Sequence, residues 1–295
     1  MKLATLEVNG AETAAVYTPD GLILLADINQ SFSTDFPVTL QELIQTERLD
    51  KLNDFWNQKK DDMGALLPDC AIPPDRAVFA PPYRHPRKIW GIGLNYRAHA
   101  GDLGETAPSS EPASFMKPDT TIIGHGDTIH LPLMSERVTG EAELGLVFGK
   151  MCRDVDRSEW RSVLAGFTTI IDMTAEDILR RNPRNLTQAK SFNTFFSFGP
   201  LLYTIDECVD VMSLRIATVH NGGVHAGNTV ANMTFPPDYL VSYHSRIMTM
   251  LPGDIISTGT PGAAVLRDGD VIECRIDGWL PLVNPVIDLK YVREA

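Results

Sequence analysis

The segment from residue 140 to residue 150, Gly-Glu-Ala-Glu-Leu-Gly-Leu-Val-Phe-Gly-Lys, constrains the fold most. Its apolar residues alternate with acidic or small ones, and this two-residue period is typical of a β-strand. One face of the strand is apolar and is formed by Ala142, Leu144, Leu146 and Phe148. This face needs another layer of the protein to cover it. Its opposite face carries Glu141 and Glu143. Aligned carboxylates repel each other, which leaves two interpretations, a solvated strand face or a site where a cation lies between them.

Composition and charge limit the partners of the chain. Its 295 residues include 43% hydrophobic and 22% charged residues, as is ordinary for globular proteins. A formal net charge of −12 argues against nucleic acid or an anionic membrane surface as partner. With neither a signal-peptide pattern nor a membrane-spanning apolar run, we expect a cytoplasmic protein. Four cysteines without CxxC spacing predict reduced, individually packed thiols.

The first part of the chain has the pattern of a small α/β domain. Alternating apolar residues predict strands at 2–8, 14–17 and 22–25, and the last two are joined by a Pro-Asp-Gly turn. Helical spacing after Thr39, a predicted N-cap, indicates one or two helices from Leu40 to about Lys60. Six prolines between residues 68 and 86 indicate an extended linker. We therefore predict a small N-terminal domain at 1–82 and a second domain at 83–295.

The second part is predicted to be mainly β. Short apolar segments separated by Gly, Pro and Asn predict further strands at 89–94, 121–123, 167–171, 214–219, 254–257 and 271–276. Helices are predicted at 156–164, about 175–181 and 237 to about 250. The segment 102–112 is polar, small and broken by proline, which is typical of a mobile loop and makes it a candidate lid. The predicted class is α+β, mainly β.

A third carboxylate follows a predicted buried strand. Asp172 ends the apolar run 167–171, and the chain between Glu143 and Asp172 is long enough for a helix and a return strand. Adjacent strands would bring Glu141, Glu143 and Asp172 together. Three carboxylates suit a hard divalent cation such as Mg²⁺, Mn²⁺ or Ca²⁺, whereas zinc more often takes His or Cys ligands.

Six motifs, in order from about Lys88 to Val286, resemble those of the fumarylacetoacetate hydrolase family. They are Asn95–His99, Phe115–Pro118, Glu141–Glu143, Asp172–Thr174, Lys190–Phe195 with Gly199-Pro200, and Pro252–Pro261. The resemblance implies a mixed β-roll catalytic domain, usually homodimeric. It also implies that Glu141, Glu143 and Asp172 bind Mg²⁺ or Mn²⁺, and so favours the cation site over a solvated strand face.

The resemblance also assigns roles to residues whose type and position alone would not single them out. It implies that His99 is the general base, supported by Asp102 at a position where the family has a glutamate. Lys190 would neutralise developing negative charge or hold a substrate carboxylate.

Three further residues lie in matching motifs and are candidate substrate contacts. They are Tyr96, Lys117 and Thr260. Tyr96 could instead only pack in the core, and Lys117 could be an ordinary surface charge. Thr260 could simply form part of a tight turn.

The chain departs from the family pattern after Asp172. Where the family often has an arginine, this chain has Glu176, which would repel a substrate carboxylate placed there. Either Arg180, Arg181 or Arg184 replaces that arginine, with Arg181 predicted as the substrate contact, or the substrate of this protein differs.

These features predict a divalent-metal-dependent hydrolase that cleaves carbon–carbon bonds of a small 1,3-dicarbonyl or acylpyruvate-like 2-oxo acid through a metal-stabilised enolate. Decarboxylation, isomerisation or dehydration of a keto-deoxy sugar acid uses the same enolate, and these reactions stay open. A homologue that binds metal and ligand without catalysis is a further alternative.

Overall fold

The computed structural model describes residues 1–63, 70–97 and 108–292. Its strands are β1 Lys2–Val8, β2 Ala11–Thr18, β3 Gly21–Leu24, β4 Phe79–Ala80, β5 Ile89–Gly93, β6 Ala113–Lys117, β7 Ile122–Ile123, β8 Ile129–Leu131, β9 Val138–Phe148, β10 Leu164–Ala175, β11 Phe196–Thr204, β12 Arg215–His220, β13 Gly223–Thr229, β14 Ile255–Ser257, β15 Ala263–Leu266, β16 Val271–Ile276 and β17 Leu282–Asp288. Its α-helices are α1 Leu25–Phe32, α2 Leu40–Gln45, α3 Leu49–Met63, α4 Glu176–Arg181, α5 Leu186–Lys190 and α6 Pro237–Ile247. Short 3₁₀ helices lie at Asp119–Thr121, Arg157–Val163, Ile205–Glu207, Val211–Ser213 and Val230–Asn232. The predicted class, mixed α and β but mainly β, is confirmed.

The N-terminal elements follow the sequence pattern closely. β1 to β3 form the predicted antiparallel strands, and the predicted helical region divides into α2 and α3. The Thr39 side chain accepts a hydrogen bond from the backbone N–H of Glu42, as expected of an N-cap. One difference is α1, which begins at Leu25 where the strand was predicted to end. Leu25 and Ile28 are both fully buried, because helical spacing turns them to the same side.

The central element is a large sheet with the strand order β3-β2-β1-β11-β10-β9-β14-β5-β6. β15 adds to β9, β4 to β1 and β7 to β11. A second sheet, in the order β13-β12-β16-β17-β8, packs against β9 and β10 of the first. The predicted apolar face of β9 is buried between the two sheets. The four residues of this face, Ala142, Leu144, Leu146 and Phe148, are all fully buried.

The N-terminal segment covers the opposite face of the large sheet. Leu3, Val16 and Leu40 share one hydrophobic cluster with Val147 of β9 and Ile170 of β10. Val147 lies on the same face of β9 as the two glutamates, because residues two apart in a strand share a face. One half of this face is therefore closed by the N-terminal segment, while the other half carries the carboxylates.

The division into domains at residue 82 stays a prediction. β1 pairs with β11, and Leu3 lies opposite Leu202, so the segment before residue 82 continues the sheet of the segment after it. The two segments share a sheet and a core in addition to their covalent link.

The helix predicted at 156–164 is a 3₁₀ helix, Arg157–Val163. Asp156 takes the N-cap position, but its side chain accepts no capping hydrogen bond. Cys152, Cys208 and Cys274 are thiols, as predicted. In the described part of the chain, no helix is both long and apolar enough to cross a membrane.

Candidate active site

The pairing register of β9 and β10 builds the centre of the site. Asp172 lies directly opposite Glu141, and Ile170 lies opposite Glu143. Since residues opposite each other in an antiparallel pair project to the same face, the three carboxylates share one face. One oxygen from each of Glu141, Glu143 and Asp172 lies within 4.8 Å of the others. The sequence-based expectation that adjacent strands unite these residues is confirmed.

Two buried lysines compensate part of this negative charge. The Lys117 ammonium donates to Asp172 Oδ1 at 2.5 Å, and the Lys190 ammonium donates to Asp172 Oδ2 at 2.6 Å. Lys190 also reaches Glu141 Oε2 at 3.1 Å. Buried charges are tolerated when they are paired and hydrogen-bonded, which explains how this face of β9 and β10 stays folded.

Glu143 is almost completely buried, with 1% of its surface exposed. Its Oε2 accepts hydrogen bonds from the Ser257 hydroxyl at 2.5 Å and from the Gly259 backbone N–H at 2.7 Å. Among the described residues, both hydrogen bonds to this carboxylate go to Oε2. Glu143 Oε1 accepts no hydrogen bond from the described residues.

The pKa shifts follow from burial and from neighbouring charges. Burial and the charges of Asp172 and Glu141 raise the pKa of Glu143. Burial would also raise the pKa of Asp172, but the ammonium groups of Lys117 and Lys190 outweigh it and hold that pKa below its usual value. Burial lowers the pKa of Lys117 to about 8, against the opposing effect of Asp172.

A cavity of about 520 Å³ opens beside the carboxylates. Its polar wall includes Thr139, Glu141, Thr174, Lys190 and Thr260. Its apolar wall includes Ile92, Leu94, Phe115, Leu179, Pro183 and Leu186. The cavity thus joins a charged floor to apolar sides, which is the usual character of a small-molecule site.

The structure places the candidate contacts at different depths. Lys190 and Thr260 line the cavity, whereas Lys117 lies behind Asp172 with a fully buried side chain. Tyr96 is completely buried, away from the cavity wall, and burial together with the Glu143 charge raises its pKa. Arg181 is exposed, and its neighbour Arg180 lines the cavity instead. A substrate contact by Arg181 stays a prediction, and this placement favours Arg180.

The predicted base and its partner, His99 and Asp102, lie outside the described residues. Most of the candidate lid at 102–112 also lies outside them. The described residues on either side, Leu94 and Ala113, both line the cavity.

The expectation that Glu176 would repel a substrate carboxylate needs correction. Its carboxylate accepts from Arg137 Nε through Oε2 and from Arg180 through Oε1, the latter at 2.6 Å. Both oxygens are therefore engaged by guanidinium groups. The cluster of one glutamate and two arginines carries a formal charge of +1, so the arginine expected at position 176 is replaced by arginines held around it.

Several side chains of the site were not predicted from sequence. Ser257 lies in the family motif Pro252–Pro261, and this position could have indicated a role in the site. Thr174, which donates to Glu141 Oε1 at 2.9 Å, also lay in such a motif. Arg137 lies 39 positions from Glu176, and no sequence pattern connects the two.

The residues of the site fit a divalent metal ion. Three carboxylates converge on one point, and oxygen donors of this kind suit Mg²⁺, Mn²⁺ and Ca²⁺. The mutual repulsion that raises the pKa of Glu143 is the repulsion that such a cation would relieve.

Comparison with known proteins agrees with this geometry. The family model described as fumarylacetoacetate (FAA) hydrolase C-terminal matches residues 88–287. Oxaloacetate tautomerase Fahd2a, mitochondrial, of Rattus norvegicus is 32% identical over 233 residues, which cover 76% of this chain and 74% of that protein.

Two solved structures resemble the whole chain. Maleylpyruvate hydrolase from Sphingobium sp. SYK-6, in complex with manganese(II) ion and pyruvate, is 27% identical, with a TM-score of 0.77 and coverage of 98% of this chain and 99% of that chain. The 5-carboxymethyl-2-hydroxymuconate delta-isomerase from Mycobacterium smegmatis is also 27% identical, with a TM-score of 0.75 and coverage of 98% and 99%. The relatives named here are enzymes.

Proposed function

Because this chain belongs to the fumarylacetoacetate hydrolase family, we propose that it is a divalent-metal-dependent enzyme that hydrolyses the carbon–carbon bond of an acylpyruvate-like 2-oxo acid. The observation that carries the proposal is the carboxylate triad, of which Glu141 lines the cavity together with Lys190. The reaction consumes one water and yields pyruvate and a carboxylic acid.

The triad Glu141, Glu143 and Asp172 would hold Mg²⁺ or Mn²⁺, with Ca²⁺ as a third candidate. When bound, the cation would supply Lewis-acid stabilisation of negative charge on the substrate. Manganese together with pyruvate in the structure of the Sphingobium relative supports this choice of metal and of substrate class.

Lys190 is the residue that we expect to act on the substrate from the described part of the site. Its ammonium lines the cavity and lies 4.7 Å from the centroid of the Phe115 ring. A fixed positive charge in a partly dry site stabilises the negative charge that develops on a carbonyl oxygen. Lys117 does not line the cavity, and its ammonium donates to Asp172 Oδ1.

The residue that delivers water is proposed to be His99, oriented by Asp102. Near neutral pH a histidine takes a proton from water effectively, which is typically worth roughly 10²–10⁴-fold in rate. Thr260, whose buried hydroxyl lines the cavity, is proposed to contact substrate or water. The active form is proposed to be a homodimer.

A second candidate is isomerisation of a 2-oxo acid, in which only protons move between carbon and oxygen. The relative named oxaloacetate tautomerase, at 32% identity, favours it. The same site serves both reactions, because each passes through an enolate. What separates them is whether a water molecule attacks the distal carbonyl.

The test is to assay acylpyruvates and oxaloacetate with Mg²⁺ and with Mn²⁺, analysing the products by NMR. Release of pyruvate and a carboxylic acid supports hydrolysis, while enol–keto interconversion with the carbon chain intact supports isomerisation. We expect Lys190→Met to lower kcat by about 10²–10³-fold. Lys150→Met, which changes a half-exposed lysine paired with Asp50, should leave kcat unchanged. Absence of both reactions, with metal shown to be bound, would overturn the proposal.

A further inference from the structure

The cavity contains two cations whose surroundings differ. Among the described side chains that line it, the positively charged ones are Lys190 and Arg180. Lys190 is already engaged by Asp172 and Glu141, at 2.6 Å and 3.1 Å. Arg180 has Glu176 as its one ionic partner in the part of the chain that the structure describes, and 63% of its side chain is exposed. Since a guanidinium has five N–H donors, Arg180 retains donors for a ligand.

Glu176 fixes where this guanidinium lies. It is 8% exposed, and its backbone N–H donates to the carbonyl of Arg137 at 2.8 Å, at the point where β9 begins. With Arg137 bound to the other carboxylate oxygen, Glu176 is tied to β9 by both main chain and side chain. Arg180, four residues later on α4, is thereby attached to the strand that carries the metal-site glutamates. A guanidinium held in this way loses less conformational entropy on binding an anion.

The described cavity wall near α4 is partly apolar. Leu179, Pro183 and Leu186 flank Arg180 and are apolar. The chain as a whole carries −12, so an anionic ligand is attracted only by local positive charge. At physiological ionic strength, charges beyond about 8 Å are largely screened, so the +1 charge of the Glu176 cluster acts mainly on ligand groups that lie close to it.

We infer that Arg180 is a specificity-determining residue that selects 2-oxo acids with a second carboxylate at the end far from the metal site, and that Glu176 is its positioning residue. The inference rests on the proposed function, since it assumes that the 2-oxo acid end lies at the carboxylate triad. The apolar residues beside Arg180 accommodate the carbon chain between the two ends of the ligand. Arg181, which does not line the cavity, is not assigned this role.

The test measures binding and needs no turnover. Calorimetric titrations in saturating Mn²⁺ compare 2-oxoglutarate with 2-oxopentanoate, which has equal chain length but a methyl end, and 2-oxoadipate with 2-oxohexanoate. We expect the carboxylate-ended probe of at least one pair to bind about tenfold more tightly to the wild-type protein, and Arg180→Gln to remove the difference. Arg181→Gln is the matched control and should keep it.

Three results would overturn the inference. Both members of each pair could bind equally tightly, no probe could bind, or the two arginine variants could have equal effects on binding. The protein could catalyse neither hydrolysis nor isomerisation and yet bind carboxylate-ended probes more tightly through Arg180. That result would reject the proposed reactions but support the specificity role of Arg180.

Glu176→Gln separates positioning from simple charge. The variant keeps both arginines and removes the negative charge between them, so a site that acts by charge alone would bind dicarboxylates more tightly. Loss of the discrimination, together with its recovery in Glu176→Asp, supports the positioning role. Tighter dicarboxylate binding by Glu176→Gln would overturn that role.

Discussion

At the residue scale, the site is a set of buried charges that stabilise one another. Asp172 has no exposed surface and lies between two ammonium groups. Burying a charge is costly unless a partner compensates it, and breaking such a pair leaves the remaining partner uncompensated. We therefore expect each carboxylate of the triad to affect stability as well as the proposed metal binding.

Asp172→Asn should show both effects. Lys117 and Lys190 would lose the anion that they share, and we expect the free energy of unfolding of the metal-free protein to fall by about 3–5 kcal/mol. Mn²⁺ at a hundredfold excess over its Kd should stabilise the wild-type protein by about 2.7 kcal/mol and the variant by much less. Urea denaturation with and without Mn²⁺ measures both quantities.

Asp75→Asn, at an exposed position, is the control and should leave both quantities unchanged. If Asp172→Asn bound Mn²⁺ as tightly as the wild-type protein, Asp172 would not be a ligand.

At the element scale, helix α6 contributes a buried histidine to the core. His244 is fully buried, its ring packs at a tilt of 54° against Trp90 with centroids 4.8 Å apart, and its Nδ1 contacts the Leu240 carbonyl at 2.8 Å. Because a carbonyl only accepts, Nδ1 carries the hydrogen. Among the described residues, His244 Nε2 has no hydrogen-bond partner, so a second proton there would be buried without an acceptor.

Burial lowers the pKa of His244 below its usual value of about 6.5. Below that pH the unfolded chain binds a proton that the folded state resists, so stability is complete above about 6.5 and decreases as pH falls. We expect the free energy of unfolding to fall between pH 7.5 and 5.5 more in the wild-type protein than in His244→Phe, by at most about 1.4 kcal/mol per pH unit.

Chemical denaturation at the two pH values measures this difference for each protein. Subtracting the two proteins removes the contribution of other titrating groups. Parallel pH profiles for the two proteins would show that folding does not lower the pKa of His244.

At the scale of the whole molecule, the N-terminal segment and the remainder form one hydrogen-bonded sheet. The pairing of β1 with β11 and the cluster that joins Leu3 to Ile170 cross the predicted boundary at residue 82. Elements that share a core unfold together when neither part buries enough apolar surface alone.

We therefore expect a single calorimetric unfolding transition for the full chain. Leu3→Ala should shift the whole transition, with a loss of about 2–5 kcal/mol, because Leu3 is fully buried in the shared cluster. Val78→Ala, at a residue 59% exposed, should cost far less. Two transitions, of which Leu3→Ala moves only one, would instead show that residues 1–82 unfold as an independent domain.

The sequence by itself determined the local features of this protein. Period and capping located β1 to β3, α2 and the core face of β9, since these depend on neighbours within a few residues. The order of the family motifs also identified Glu141, Glu143 and Asp172 as candidate metal ligands, because residue types and their spacing can be read directly from the sequence.

Only the tertiary structure decided how distant residues meet. The register of β9 against β10 places Asp172 opposite Glu141, and no local pattern fixes a register between strands far apart in sequence. The pairing of Glu176 with Arg137 likewise depends on where β9 begins beside the end of β10. With Arg137 and Arg180 both bound to it, the Glu176 carboxylate no longer contributes an uncompensated negative charge. The net charge of a site depends on all the residues that folding brings together.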